Sequence, residues 1–498
     1  MRKRVFLNAL AGFVLVALAV QYAAGPSTVA IAAEVRALRS TLPADVGVRT
    51  VLNTTTRHRE WVHVPVGSTE AAAFIVYPER ADKGPVVVLT SDNGASDWIR
   101  AVGDQIAAEG FIAVVPDVAT NSADSTNALN AIEAVRRHAL SLPSANGVGA
   151  SLVFSSGITG DRVRAETDSP ATGKRAASFR PTAAAWPQIV GFLNKETANT
   201  PLAGQNPNAP EDHTAHMAAF AMLQPPAAPA RAAQAGRGNQ PVGYPQGKLP
   251  NLPAGRYTAK STLAKSTLRK EFVDIMVGNV KLHTWVVYPE GNAPAPVMLV
   301  MQHGLGLDEW VRAFADQMAV QGFIAIAPDL FSGLGPNGGN WESFIGTDEV
   351  MRAAGGINQD EGIRRYKAAY DWGMKLPRAN GKSASIGFCA GGGYAFRFAA
   401  EVPGINAAVS FYGGTPSEEL MTKIKAPVLA FYGEDDARVT AAAIPTEAAM
   451  KRLGKSFEFH VYPHTTHAFL DYQSLGGNPA ATADSWARTT AFLNQHVK

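Results

Sequence analysis

Ser383-Ala-Ser-Ile-Gly-Phe-Cys-Ala-Gly-Gly-Gly393 is the stretch whose reading decides the fold. Its first half, up to Phe388, is a short apolar run of the kind that forms a buried parallel strand. Gly387 and Gly391 then bracket Cys389 at two residues on either side. A sharp strand-to-helix turn needs glycine at both places, because the backbone is crowded there and a Cβ would clash. Such a turn lifts its central residue onto the N-terminus of the following helix, where the peptide dipoles favour an anion. Taken alone, the segment fits either a nucleophile at that apex or a tight turn holding a small buried thiol.

Two downstream segments favour the nucleophile. Ala426-Pro-Val-Leu-Ala-Phe-Tyr-Gly433 reads as a strand and runs into Glu434-Asp-Asp-Ala-Arg-Val439. Phe457-Glu-Phe-His-Val-Tyr-Pro463 reads as another, followed by His464-Thr-Thr-His467. Nucleophile, acid and histidine therefore occur in that order, each just past its own strand, as the sheet of α/β-hydrolases requires of its triad. The expected set is Cys389, Asp436 and His467, with Asp435 the competing acid. The histidine takes the thiol proton and the carboxylate fixes its tautomer. Backbone N–H groups of Ala390 and Gly304 are the expected oxyanion hole. This chemistry calls for no metal and no organic cofactor.

From about residue 270 onward the chain resembles the dienelactone hydrolase family. The resemblance rests on Gly387-Phe-Cys-Ala-Gly-Gly-Gly393, Phe431-Tyr-Gly-Glu-Asp-Asp-Ala-Arg-Val439, Tyr462-Pro-His-Thr-Thr-His-Ala-Phe469 and Gly322-Phe-Ile-Ala-Ile-Ala-Pro-Asp-Leu330. It implies an α/β-hydrolase fold, a mostly parallel sheet flanked by helices, and hydrolysis of an ester or lactone. Two positions depart from the family pattern. His303 stands where the family has a glutamate beside the resting thiol. Asp471 stands where an arginine, four residues after the catalytic histidine, receives the substrate carboxylate. If Asp471 faces the pocket it should repel anionic substrates; if it faces solvent it does nothing. Trp341, in the Gly-rich loop after Asp329, is either a pocket wall or a lid residue.

The unit occurs twice. Trp98–Asp117 and Trp310–Asp329 are identical at 12 of 20 positions, Glu60–Gly67 parallels Glu271–Gly278, and Val76-Tyr-Pro-Glu79 parallels Val287-Tyr-Pro-Glu290. In the first copy Ser155 falls where Cys389 stands, but Val153 replaces the elbow glycine. Only 28 residues separate Gly157 from Trp186, against 94 between Gly391 and Trp486. The first copy is therefore expected to lack the acid and histidine strands, to be truncated, and to supply no catalytic group. The domain plan is a signal peptide or N-terminal anchor at 1–32, a degenerate hydrolase-like domain at 50–197, an Ala/Pro/Gly-rich linker at 198–265 and a catalytic domain at 266–498.

Composition narrows the setting. An apolar fraction of 46% describes globular protein, and a net charge of +3 gives no reason to expect nucleic acid. A single cysteine excludes an internal disulfide, a cysteine-rich zinc site and a resolving partner for redox work. Arg2-Lys-Arg4, the apolar stretch Val5–Ala24 and the small residues before Ala33 read as a Sec-type signal, with an uncleaved anchor as the rival. Export to the periplasm or exterior is the expectation, and a membrane is met only through that segment. His213 and His216 read as a solvated turn within the linker rather than a metal site. The expected partner is a small ester or lactone, with a general esterase for neutral esters and a non-catalytic exported binding protein as the alternatives.

Overall fold

The computed structural model describes residues 48–55, 57–119, 125–155, 162–169, 173–179, 185–199, 252–473 and 478–498. The expected signal or anchor segment at 1–32, His213, His216 and most of the expected linker lie outside these residues.

The first copy folds as β1 (Arg59–Val66), β2 (Thr69–Val76), β3 (Gly84–Ser91), β4 (Ile112–Pro116), β5 (Ala145–Ser155), β6 (Arg162–Ser169) and β7 (Gly173–Phe179). The second contains β8 (Lys270–Val277), β9 (Val280–Val287), β10 (Ala295–Met301), β11 (Ile324–Pro328), β12 (Ala379–Phe388), β13 (Ala407–Phe411), β14 (Val428–Gly433) and β15 (Phe457–Tyr462). Spatial order in the first sheet is β1-β2-β4-β3-β5-β6-β7, and in the second β8-β9-β11-β10-β12-β13-β14-β15. The leading five strands thus repeat the same order. Even a register irregularity recurs, between Gly84 and Val86 against β5 and between Ala295 and Val297 against β12.

Central strands β3 and β10 are buried at every residue. Their unbroken apolar runs suit parallel strands covered on both faces by helices. One core of the second copy gathers Trp310, Phe314, Phe388, Phe411 and Trp486 on one side of the sheet; another gathers Leu299, Ile326, Tyr366 and Phe398 on the other. The first copy repeats this with Phe74, Ile99 and Trp186 on one side and Ile75, Val88 and Val135 on the other.

The copies part company after β5. In the second, β12 ends in a turn into helix Ala390–Glu401, and β13, β14 and β15 follow as parallel strands. In the first, β5 runs straight through Val153 to Ser155 and pairs antiparallel with β6, which pairs antiparallel with β7. The acid- and histidine-bearing strands have no counterpart among the described residues of the first copy, as expected. The parallel strands are replaced by a hairpin that closes the sheet edge, and Ser155 is the last residue of a strand rather than the apex of an elbow.

The linker boundary also moves. Leu252, Ala254 and Ala259 are buried in the core around Trp310, whose indole Nε1 donates to Ala254 O at 3.0 Å. Helix Ala259–Lys265 packs on helix Glu309–Val320. Residues 252–265 belong to the second domain because their apolar side chains complete its core. Among the described residues no helix is long and apolar enough to cross a membrane.

The two copies are docked. Arg100 forms a buried ion pair with Asp348, Arg59 Nη2 donates to Thr347 Oγ1 at 3.0 Å, and Ala437 N donates to Arg80 O at 3.0 Å. Arg352 lies 4.0 Å above the ring of Trp61.

Candidate active site

Cys389 stands at the end of β12 with φ 54° and ψ −118°, a left-handed conformation that a side chain tolerates only under compulsion. Its neighbours supply the compulsion. A Cβ on Gly387 would overlap Gly391 O, and a Cβ on Gly391 would overlap Met301 O and Gln302 O. The Cys389 N–H donates to Phe411 O at 3.0 Å, fixing the turn against the next strand. Ala390 opens helix Ala390–Glu401, so its N–H has no intrahelical acceptor.

His467 and Asp436 come from the loops after β15 and β14. His467 Nδ1 lies 2.5 Å from Asp436 Oδ2, both side chains are almost fully buried, and the other ring edge faces Cys389. The Asp435 backbone N–H donates to Thr465 O at 3.0 Å, and it is Asp436 whose carboxylate meets the ring. Burial opposes all three charges, yet mutual attraction prevails. His467 and a second histidine hold the Cys389 thiol well below its ordinary pKa. Asp436 and Cys389 lift His467 to about 9, and His467 with Arg438 holds Asp436 below the usual carboxylate range. The arrangement favours a thiolate–imidazolium pair at neutral pH.

The second histidine is His58, from the copy expected to contribute nothing. Its Nδ1 lies 3.7 Å from Cys389 Sγ, and the sulfur and one nitrogen of each histidine lie within 4.8 Å of one another. A metal ion held by these three atoms would occupy the nucleophile itself, so the cluster suits acyl transfer better than metal catalysis. His58 went unnoticed in the sequence because its segment precedes β1 and carries no motif. Only the docking of the copies brings it to the thiol.

A cavity of about 120 Å³ opens beside the sulfur, lined by Cys389, His467, Gly304, Tyr412 and Met351 and, from the first copy, by Arg57, His58 and Arg59. His303 and Asp471 line it as well. His303 Nε2 sits 3.1 Å from Asp308 Oδ2 rather than on the thiol. Asp308 also caps helix Glu309–Val320 by accepting from Val311 N. Burial opposes its charge, but His303 and Arg256 hold Asp308 down to about 2.

Asp471 is buried and takes Arg256 Nε at 3.0 Å. Of the two placements drawn from sequence the pocket-facing one holds, but its charge is met by an arginine from the expected linker. Arg57 is paired with Asp104 at 2.9 Å. Arg59 is 4% exposed and has no carboxylate within ion-pair distance among the described residues. Its guanidinium donates to Thr347 Oγ1 and Thr55 O, and a buried cation with only neutral acceptors in reach is compatible with an anion at the cavity. Trp341 is not a wall of this cavity. Its indole Nε1 donates to Leu305 O at 2.6 Å and the ring fills the space over Gly306, bracing the loop that carries Gly304.

Comparison with known proteins gives one family. The sequence profile of the dienelactone hydrolase family matches residues 71–145 and 282–497, one segment in each copy. A "Putative carboxymethylenebutenolidase" of Saccharolobus solfataricus is 26% identical over 254 residues, covering 44% of this chain and 95% of the relative. One of Salmonella typhimurium is 29% identical over 218 residues, 40% of this chain and 77% of its own. Among solved structures, a putative dienelactone hydrolase from Klebsiella pneumoniae matches with a TM-score of 0.43 and 22% identity, covering 46% of this chain and all of its own.

Proposed function

Because the chain belongs to the dienelactone hydrolase family, and is on that account a hydrolase, we propose that it cleaves a carboxylic ester or lactone through a Cys389 thioester. The observation that carries this reading is Cys389 on a strained elbow with the His467–Asp436 pair against it. The thiolate attacks the acyl carbon, forming the C–S bond, and the oxyanion is received by the N–H groups of Ala390 and Gly304. Collapse expels the alcohol oxygen, which takes the proton from His467. A water then attacks the thioester, giving its proton back to His467, and the acid leaves as the C–S bond breaks.

Arg59 supports a substrate that carries a carboxylate as well as the scissile ester. Relatives named for a carboxymethylene-bearing butenolide point the same way. The expectation that neutral esters are preferred rested on Asp471 as an open charge, and Arg256 removes that ground. The test is turnover of a matched pair, one neutral ester and its carboxylate analogue, by wild type and Cys389→Ala. Cys389→Ala should lower kcat by at least about 10³-fold on both, and wild type should accumulate a thioester adduct on intact-mass analysis. A folded Cys389→Ala protein with normal turnover refutes the nucleophile. A wild type that favours the neutral member refutes the anionic substrate.

A further inference from the structure

The family reading needs one histidine at the nucleophile, yet the structure has two. His58 Nδ1 faces Cys389 Sγ at 3.7 Å, and on its far side Nε2 lies 3.8 Å from Glu60 Oε2. Glu60 is held in turn by the Tyr77 hydroxyl, which donates to Oε1 at 2.7 Å. His58 immediately precedes β1 and its O accepts from Tyr77 N at 2.9 Å, continuing the pairing with the neighbouring strand, so residues 58 and 60 share a face. The result mirrors His467–Asp436: an imidazole with one nitrogen on sulfur and the other toward a carboxylate. The two histidine rings meet edge to face, 4.9 Å apart at 62°, and one nitrogen of each lies within 4.8 Å of the sulfur.

The duplication supplies an internal comparison. The repeat places Arg269, Glu271 and Tyr288 where the first copy has His58, Glu60 and Tyr77. Arg269 pairs with Glu271 at 3.0 Å and its side chain is 72% exposed. The same scaffold therefore points at solvent in one copy and at the nucleophile in the other. Only where it meets the nucleophile does it carry an imidazole.

We propose that His58, backed by Glu60, is a catalytic residue of the second copy's active site, donating a hydrogen bond from Nδ1–H to the Cys389 thiolate. The inference rests on the thioester reading above. With both ring nitrogens protonated, His58 donates to sulfur on one side and forms an ion pair with Glu60 at 3.8 Å on the other; a neutral ring bonded to sulfur would turn a lone pair toward the carboxylate. His467 is thereby left to move protons between the thiol, the leaving oxygen and water, while His58 keeps the sulfur anionic in the resting state and again when the C–S bond breaks. No bond to His58 is made or broken apart from that hydrogen bond. The other charged and titratable groups facing the sulfur are His467 with Asp436, Arg438 beside both Asp436 and Glu60, and Tyr412. Glu60 is held down to about 2, burial working against its charge and His58, Arg438 and Tyr77 outweighing it.

Cys389 is the only cysteine, so alkylation by iodoacetamide reads this thiol alone. In the full chain, His58→Ala should move the pH midpoint of alkylation up by about one unit, a tenfold change. It should lower kcat/KM at neutral pH by about tenfold or more, and added imidazole should restore part of both. Glu60→Gln should shift the midpoint in the same direction by less. A His58→Ala alkylation profile that superimposes on wild type overturns the proposal. If His58→Ala does not fold, an unshifted Glu60→Gln profile overturns it instead. Alkylation reads the thiol whether or not the chain hydrolyses an ester. Failure of the thioester reading, seen as turnover by Cys389→Ala, is therefore distinguishable from failure of this one.

Discussion

At the scale of single residues, the proton on His467 connects geometry to pH. Its pKa is lifted to about 9 because Asp436 and Cys389 outweigh burial. In the proposed acylation step the leaving oxygen takes that proton, so activity should hold across neutral pH and fall as pH rises through about 9. The sign is the same for stability: a histidine raised on folding stabilises fully below its unfolded value near 6.5 and loses that contribution as pH climbs through about 9. Asp436→Asn should bring the alkaline limb of kcat/KM down toward the ordinary histidine range and cost about 10²–10⁴-fold. A pH–rate profile of the two proteins decides it, and an unmoved limb removes Asp436 from the site. Sequence named Asp436 as the acid and kept Asp435 beside it as the competitor. Neighbours in a turn point in different directions, and only coordinates say that Asp436 rather than Asp435 meets the ring.

At the scale of elements, the elbow was legible because its requirement is local: two glycines flanking a central residue, each needed for a close approach that a Cβ blocks. Gly387→Ala should therefore destabilise by about 3 kcal/mol or more, since its Cβ meets backbone that cannot step aside. Gly393→Ala is the internal control. Its added Cβ comes no closer than 3.5 Å to Gly414 O, and in a helix alanine is better than glycine by up to about 1 kcal/mol. Urea denaturation of both variants tests the contrast, and equal midpoints would remove the steric account. The β6–β7 hairpin was legible too but went unread. Arg162-Val-Arg-Ala-Glu-Thr167 alternates polar with small or apolar residues, and Ser169-Pro-Ala-Thr-Gly173 is turn chemistry between strands. Counting residues to Trp186 measured the loss of the parallel strands and missed what replaced them.

At the scale of the whole molecule, the duplication was readable but its consequence was not, because docking depends on surfaces that no local pattern encodes. The described chain has one complete nucleophile site walled by two domains, and the position of His58 relative to Cys389 is set by the contact between them. Helix Thr347–Gly355 lies in that contact, touching β1 and the helix Val48–Thr54 just ahead of His58. Gly355 ends the helix directly against Trp61. A Cβ there would overlap the Trp61 side chain and come within 2.6 Å of Trp61 O, so a larger residue must push β1 away. Displacements of about 1 Å at a site can cost about 10²-fold in rate. Gly355→Val should therefore lower kcat/KM by between about 10- and 100-fold and raise the midpoint of Cys389 alkylation, although residue 355 touches neither substrate nor nucleophile. Gly356→Ala, whose Cβ would meet only Ala353 O at 3.5 Å, should do neither. Unaltered kinetics and alkylation in a folded Gly355→Val protein would mean that the second copy works alone and that the first copy's approach to Cys389 has no bearing on catalysis.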